Sequence, residues 1–127
     1  MKKGFTLIEL LAVIVILAII ALIATPIILG IIKDARDEAK ERSAEAVIHS
    51  METAYLTAMM KSEATNGALT VTAADVITNT KIENEASRNA DAKSITTTDG
   101  VTCSVSDAFL ITCKGLKTDK TKQLATN

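Results

Sequence analysis

The sequence predicts an α+β fold: one long N-terminal helix, apolar in its first half and amphipathic in its second, packed through that second half on a small C-terminal antiparallel β-sheet. Three observations predict it. No residue from Leu10 to Ile32 is charged. Residues 33–66 contain no proline and carry an apolar stripe at helical spacing. Beyond Gly67 the text is rich in turn residues, with short alternating segments around Asp99-Gly100, Cys103 and Cys113. At 127 residues the chain has room for one modest domain and an anchor.

The uncharged run Leu10–Ile32 covers about two dozen positions, which as a helix at ~1.5 Å per residue match the ~30 Å hydrocarbon thickness of a bilayer. A secretory signal would have a shorter apolar core and a small-residue cleavage site after it, whereas "TPIILGIIKDARDE" runs directly into charged helix formers. Lys2 and Lys3 precede the span and mixed charges follow it. The positive-inside rule therefore keeps Met1 to Gly4 cytoplasmic and sends the C-terminal head outside, a single-pass protein surrounded by membrane lipid. Glu9 is the costly residue in this scheme. An ionised acid inside a span costs on the order of 2.5 to 3.5 kcal/mol, less near the interface. Either Glu9 reaches interfacial water or it awaits a cationic partner, and no basic side chain lies within two turns after it.

The stretch "KKGFTLIELLAVIVILAIIALIATP" resembles the N-terminal processing and methylation motif of type IV pilins and their pseudopilin relatives. A short basic leader ends at Gly4, Phe5 follows, Glu9 lies four residues later, and the apolar helix meets Pro26. The resemblance implies a leader of residues 1–4, removed by a prepilin peptidase that cuts between Gly4 and Phe5 and methylates the new Phe5 amine. It also implies that Glu9 pairs with the N-terminal amine of a neighbouring subunit, and that the fold is the pilin lollipop. Implied partners are copies of the chain in a helical filament, the peptidase, an inner-membrane assembly platform and motor ATPases. Physical chemistry points the same way, because an amine and a carboxylate in a low-dielectric bundle are each unwelcome alone and together can set register.

Pro26 lacks an amide hydrogen and its ring crowds the carbonyl of Leu22, so a kink or opening is expected there, helped by Gly30. In related filaments this stretch bends or loses helicity, and irregularity between Leu22 and Gly30 is expected in an assembly.

The hydrophobic transmembrane and assembly half of the helix spans residues 5–32 and the amphipathic head half residues 33–66. In "IIKDARDEAKERSAEAVIHSMETAYLTAMMKSEATNG" nothing stops the helix before Asn66-Gly67, and Val47, Ile48, Met51, Ala54, Tyr55, Ala58, Met59 and Ser62 form one stripe expected to face a sheet. Lys33/Asp37 and Glu38/Arg42 stand at i, i+4 spacing in a charged neck. One helix from about Phe5 to about Thr65 would measure roughly 90 Å at ~1.5 Å per residue.

Residues 67–114 hold the rest of the head. Thr72 and Asp75 suggest a capped short helix starting after Thr72, and "TNTKIENEASRNADAK" has too few apolar residues to be more than a surface loop. Asp99-Gly100 marks a hairpin. A two-residue loop would put Ile95 opposite Ser104; a three-residue loop, Thr98 to Gly100, puts Ile95 opposite Cys103 and Thr97 opposite Val101. The second keeps apolar residues together and asks for a left-handed Gly100. A second hairpin centred on Ala108 sets Cys103 opposite Cys113 and Val105 opposite Ile111. Two opposed cysteines in an extracytoplasmic head favour a disulfide, and the C-terminal disulfide of many type IV pilins resembles this pair. Residues 115–127 read as a polar, solvated tail.

Several function classes lack support. His49 has no second imidazole or cysteine at metal-ligand spacing, so neither a metal nor a cofactor is expected, and His49 reads as a surface residue. Trp is absent, the aromatic residues are Phe5, Tyr55 and Phe109, and the formal net charge is -1, so a nucleic-acid platform is poorly supplied. Lys114, Lys117, Lys120 and Lys122 could form a DNA-contacting edge, but the footprint is weak. No Ser/His/Asp set, phosphate loop or metal motif argues for an enzyme. The expected function is a filament subunit for adhesion, motility or DNA uptake. The alternatives are a minor pseudopilin of a type II secretion or competence system, or a non-assembling membrane protein with a binding head.

Overall fold

The first helix begins where Thr6 can cap it and continues because almost every following residue is a helix former or is held by its neighbours. In the computed structural model, which describes residues 4–64 and 71–124, this helix, α1, spans Leu7–Ala64 without interruption. The expected start at Phe5 moves to Leu7, and the expected stop near Thr65 and Asn66-Gly67 lies outside the described residues. The chain divides into two units, one up to Arg36 and one from Asp37 onward.

Among the described residues, the first unit holds the start of α1 and the three residues before it. No residue from Leu7 to Ile32 is buried, although the segment is among the most apolar that a chain can make. Pro26 lies inside the helix. It offers no amide to the Leu22 carbonyl, and next to it the Thr25 hydroxyl donates 2.6 Å to the carbonyl of Ala21, a side-chain bond of the kind that tends to bend helices.

The second unit packs the head part of α1 and a short helix, α2 (Ala73–Asn79), on one antiparallel sheet. The sheet is a meander of β1 (Glu85–Asn89), β2 (Ser94–Thr97), β3 (Thr102–Val105), β4 (Leu110–Lys114) and β5 (Lys120–Gln123), in spatial order β1-β2-β3-β4-β5. Ala44, Val47, Ile48, Met51, Ala54 and Tyr55 of α1 share one buried core with Ile95, Cys103, Val105, Ile111 and Cys113 of the sheet and Val101 just before β3. The anticipated stripe is therefore the core stripe through Tyr55, with Ala58, Met59 and Ser62 half-buried beyond it. α2 starts at the expected place: the Thr72 hydroxyl accepts from the Asp75 amide at 3.2 Å and the Asp75 carboxylate accepts from the Thr72 amide at 2.8 Å, a reciprocal capping box.

Both hairpins have the register that apolar pairing demands. Ile95 pairs with Cys103, Cys103 with Cys113 and Val105 with Ile111. The first turn closes through the Thr97 amide on the Val101 carbonyl at 2.8 Å, and Gly100 has φ +86°. Cys103 and Cys113 form a disulfide with their Cα atoms 4.0 Å apart.

Two segments differ from expectation. The stretch expected as a surface loop contains β1, which pairs with β2 and carries a bulge between Glu85 and Ser87. Its apolar content is low because its anchoring is polar. Arg88 donates to the carbonyls of Ile77, Thr78 and Thr80 at the end of α2 and forks onto Glu85, satisfying orphan carbonyls that a helix end leaves. The tail expected to be solvated contains β5, with Leu124 only 1% exposed after it. Its strand pattern is hidden because its inward positions are lysines. Lys120 reaches Glu45 at 2.7 Å and Lys122 reaches Glu52 at 2.9 Å, both on α1.

Candidate functional site

The N-terminal segment sets a carboxylate against the start of a helix. Gly4, Phe5 and Thr6 precede α1, and Phe5 is 92% exposed. The Glu9 carboxylate accepts a hydrogen bond from the Thr6 amide at 3.0 Å, while the Thr6 hydroxyl accepts from the Glu9 amide at 3.3 Å. Each satisfies a donor that the first turn would otherwise leave unpaired, and the acid also sits at the positive end of the helix dipole. Glu9 thus has a local role that the spacing Thr6-x-x-Glu9 ahead of an apolar run signals directly, and that a search for cationic side chains overlooks.

Gly4 and Phe5 directly precede Thr6, whose backbone amide Glu9 accepts from at the start of α1. Pro26 and Gly30 lie on the same helix far from that start, and Cys103 and Cys113 belong to the sheet of the second unit. Residues 1–25 match the family model for the prokaryotic N-terminal methylation motif. This motif is the hallmark of type IV pilin and prepilin-like proteins. In a prepilin-like chain the apolar helix is a single-pass anchor, and α1 is the one helix among the described residues long and apolar enough to cross a membrane. No curated protein and no solved structure matches the chain.

Outside the matched N-terminal segment, several polar contacts tie the elements of the head together. The Ser43 hydroxyl of α1 donates to Asp99 in the β2–β3 turn and accepts from Asn84 at 3.1 Å, tying helix, turn and the approach to β1 together. Asp107 pairs with Lys93. His49 is exposed. It borders an open groove of about 660 Å³ between α1 and α2, with Thr53, Thr57, Asp75 and Asn79. Of the four tail lysines, Lys117, Lys120 and Lys122 are each matched by an acid of α1, Asp37, Glu45 and Glu52. That internal neutralisation leaves little positive field for a nucleic acid. Hydrogen bonding from Lys120 holds the Glu45 carboxyl below its usual range, and hydrogen bonding from Arg88 does the same for Glu85.

Proposed function

We propose that this chain is a structural subunit of a type IV pilus-like extracellular filament. Prepilin peptidase removes residues 1–4, the Phe5 amine is methylated, and the apolar part of α1 leaves the membrane to pack against copies of itself. The observation that carries this reading is the joining of the methylation motif to a helix with no buried residue from Leu7 to Ile32. Such a helix has two stable surroundings, lipid or other helices. Glu9 supplies direction. Cleavage after Gly4 creates a cation one residue from the amide that Glu9 already binds, and a buried ion pair of this kind fixes register more than it adds stability. Within the assembly, the stretch from Leu22 to Gly30 is where Pro26 lets the helix open.

Glu9→Ala and Glu9→Gln test the reading. Both variants are expected to be processed and to remain in the membrane, with surface filaments reduced at least tenfold by negative-stain counting. Assembly at the wild-type rate would contradict a directing role for Glu9. The disulfide between Cys103 and Cys113 favours a pilin over a secretion or competence pseudopilin. Abundant filaments composed of this chain separate a major pilin from a minor subunit.

A further inference from the structure

The Gly4–Phe5 bond, which is cut under the proposed function, lies just ahead of a helix whose start is fixed by its own side chains. Gly4, Phe5 and Thr6 precede α1, which begins at Leu7. The Thr6 hydroxyl accepts from the Glu9 amide at 3.3 Å and the Glu9 carboxylate accepts from the Thr6 amide at 3.0 Å, so Thr6 stands as the N-cap. The first backbone bond at this end of the helix runs from the Leu10 amide to the Thr6 carbonyl at 3.3 Å. The carbonyls of Gly4 and Phe5 therefore precede the helical ladder. Their surroundings are open as well: Phe5 is 92% exposed, and a Cβ built on Gly4 would meet nothing within 4 Å.

The local sequence would otherwise let the helix start earlier. Leu7, Ile8, Glu9, Leu10 and Leu11 are mostly strong helix formers, and Gly4 is itself an acceptable N-cap. A helix capped at Gly4 would take Phe5 and Thr6 as its first residues, and the Gly4 carbonyl would accept the first helical bond, from the Ile8 amide. That shift matters for hydrolysis. The oxygen of a water adds to the carbonyl carbon of Gly4, the carbon–nitrogen bond to Phe5 breaks, and the products are the Gly4 carboxylate and the Phe5 ammonium. During the addition the carbonyl oxygen gathers negative charge and needs the donors of the peptidase. An oxygen already held by a helical amide, on backbone that is wound rather than extended, reaches those donors only after unwinding. Cleavage then tracks the fraction of chains whose helix starts late.

We propose that Thr6 is a positioning residue for processing: its cap holds the start of α1 behind the Gly4–Phe5 bond and keeps the Gly4 carbonyl free for attack. This rests on the reading of the chain as a prepilin peptidase substrate. It gives a role to a residue that the cleavage, methylation and assembly assignments leave unused.

The test is cleavage of the full chain by prepilin peptidase in mixed lipid and detergent micelles, followed by mass spectrometry of the N-terminal peptide over a range of chain concentrations. Thr6→Val keeps the β-branched shape and removes the capping oxygen. Its KM is expected to rise about fivefold at unchanged kcat, the size of effect that a capping side chain carries. Thr6→Ser and Thr6→Asn cap as well as threonine or better, and both are expected to be cut with wild-type constants. The melting temperature of the head, which lies in the other unit of the chain, is expected to stay the same in every variant. Equal cleavage of Thr6→Val and wild type would overturn the proposal, as would a loss confined to kcat. Cleavage of Thr6→Asn as poor as that of Thr6→Val would overturn it too, because the peptidase would then be reading the threonine side chain directly. A wild-type chain left uncut at Gly4–Phe5 would overturn the proposed function itself, and the role of Thr6 with it.

Discussion

Gly115 is the residue whose identity is most tightly dictated by its surroundings. It has φ +97°, and a Cβ there would lie 2.7 Å from the carbonyl oxygen of Gly100, which itself turns the β2–β3 hairpin. Backbone cannot yield as a flexible side chain can, so Gly115→Ala should destabilise the head by about 2 kcal/mol or more. Thermal melting of the oxidised chain measures this, and an unchanged midpoint would mean that the two turns separate freely. Titrating residues act in one direction. Glu85, Glu45 and Asp75 all have carboxyls held below their ordinary values, by Arg88, Lys120 and Thr72 respectively. A carboxyl with a folded pKa below its unfolded value contributes stability above the unfolded value and loses it as pH falls through the folded one. The melting temperature should therefore be flat near neutrality and fall once pH drops below the ordinary values of 3.8 to 4.5. Arg88→Ala should make that fall shallower, because it frees Glu85 in the folded state.

At the scale of elements, the two hairpins and the strand beside them are held by different means. The Cys103–Cys113 bond closes a short loop across β3 and β4, and the chain-entropy picture assigns it about 2 to 3 kcal/mol. Replacing both cysteines by alanine, or reducing them, should lower the melting temperature by roughly 10 to 20 °C for a head of this size. No change on reduction would mean that the bond lies outside the cooperative unit. β5 is fastened by its lysines. Exposed ion pairs are typically worth about 0.5 kcal/mol, so Lys122→Glu should loosen the strand without unfolding the sheet. Hydrogen exchange is expected to quicken at Lys120 to Leu124 and not in β2 to β4. The exchanged pair Lys122→Glu with Glu52→Lys should restore protection. The means of fastening also decide what could be read in advance. β2, β3 and β4 were legible because their inward residues are apolar and alternate, and a one-residue slip would turn Ile95, Cys103 and Ile111 outward. β1 and β5 were not legible, because Arg88, Lys120 and Lys122 occupy positions that pattern reading assigns to water. Their partners lie on α2 and α1, 8 to 75 residues away in sequence, and only folding brings them together.

At the scale of the whole molecule, the chain joins two chemistries on one helix. The part up to Ile32 offers apolar surface with nothing described to cover it, and the part from Ala44 spends a similar stripe on a sheet. The first fits a single-pass membrane anchor, and the second folds with its own strands. The N-terminal motif was legible, because Gly4, Phe5 and Glu9 stand at fixed spacing ahead of an uncharged run and residues 1–25 match the methylation-motif model; the roles of the three residues belong to the proposed function. The capping between Thr6 and Glu9 rests not on the charge of the acid but on its reach to the backbone. On the proposed function, the mature chain begins at Phe5 and leaves the membrane in a filament. Mass spectrometry of the N-terminal peptide in sheared surface material tests it most directly. The expected peptide starts at N-methylated Phe5. A peptide starting at Met1, or one generated by cleavage beyond the apolar run, would contradict it.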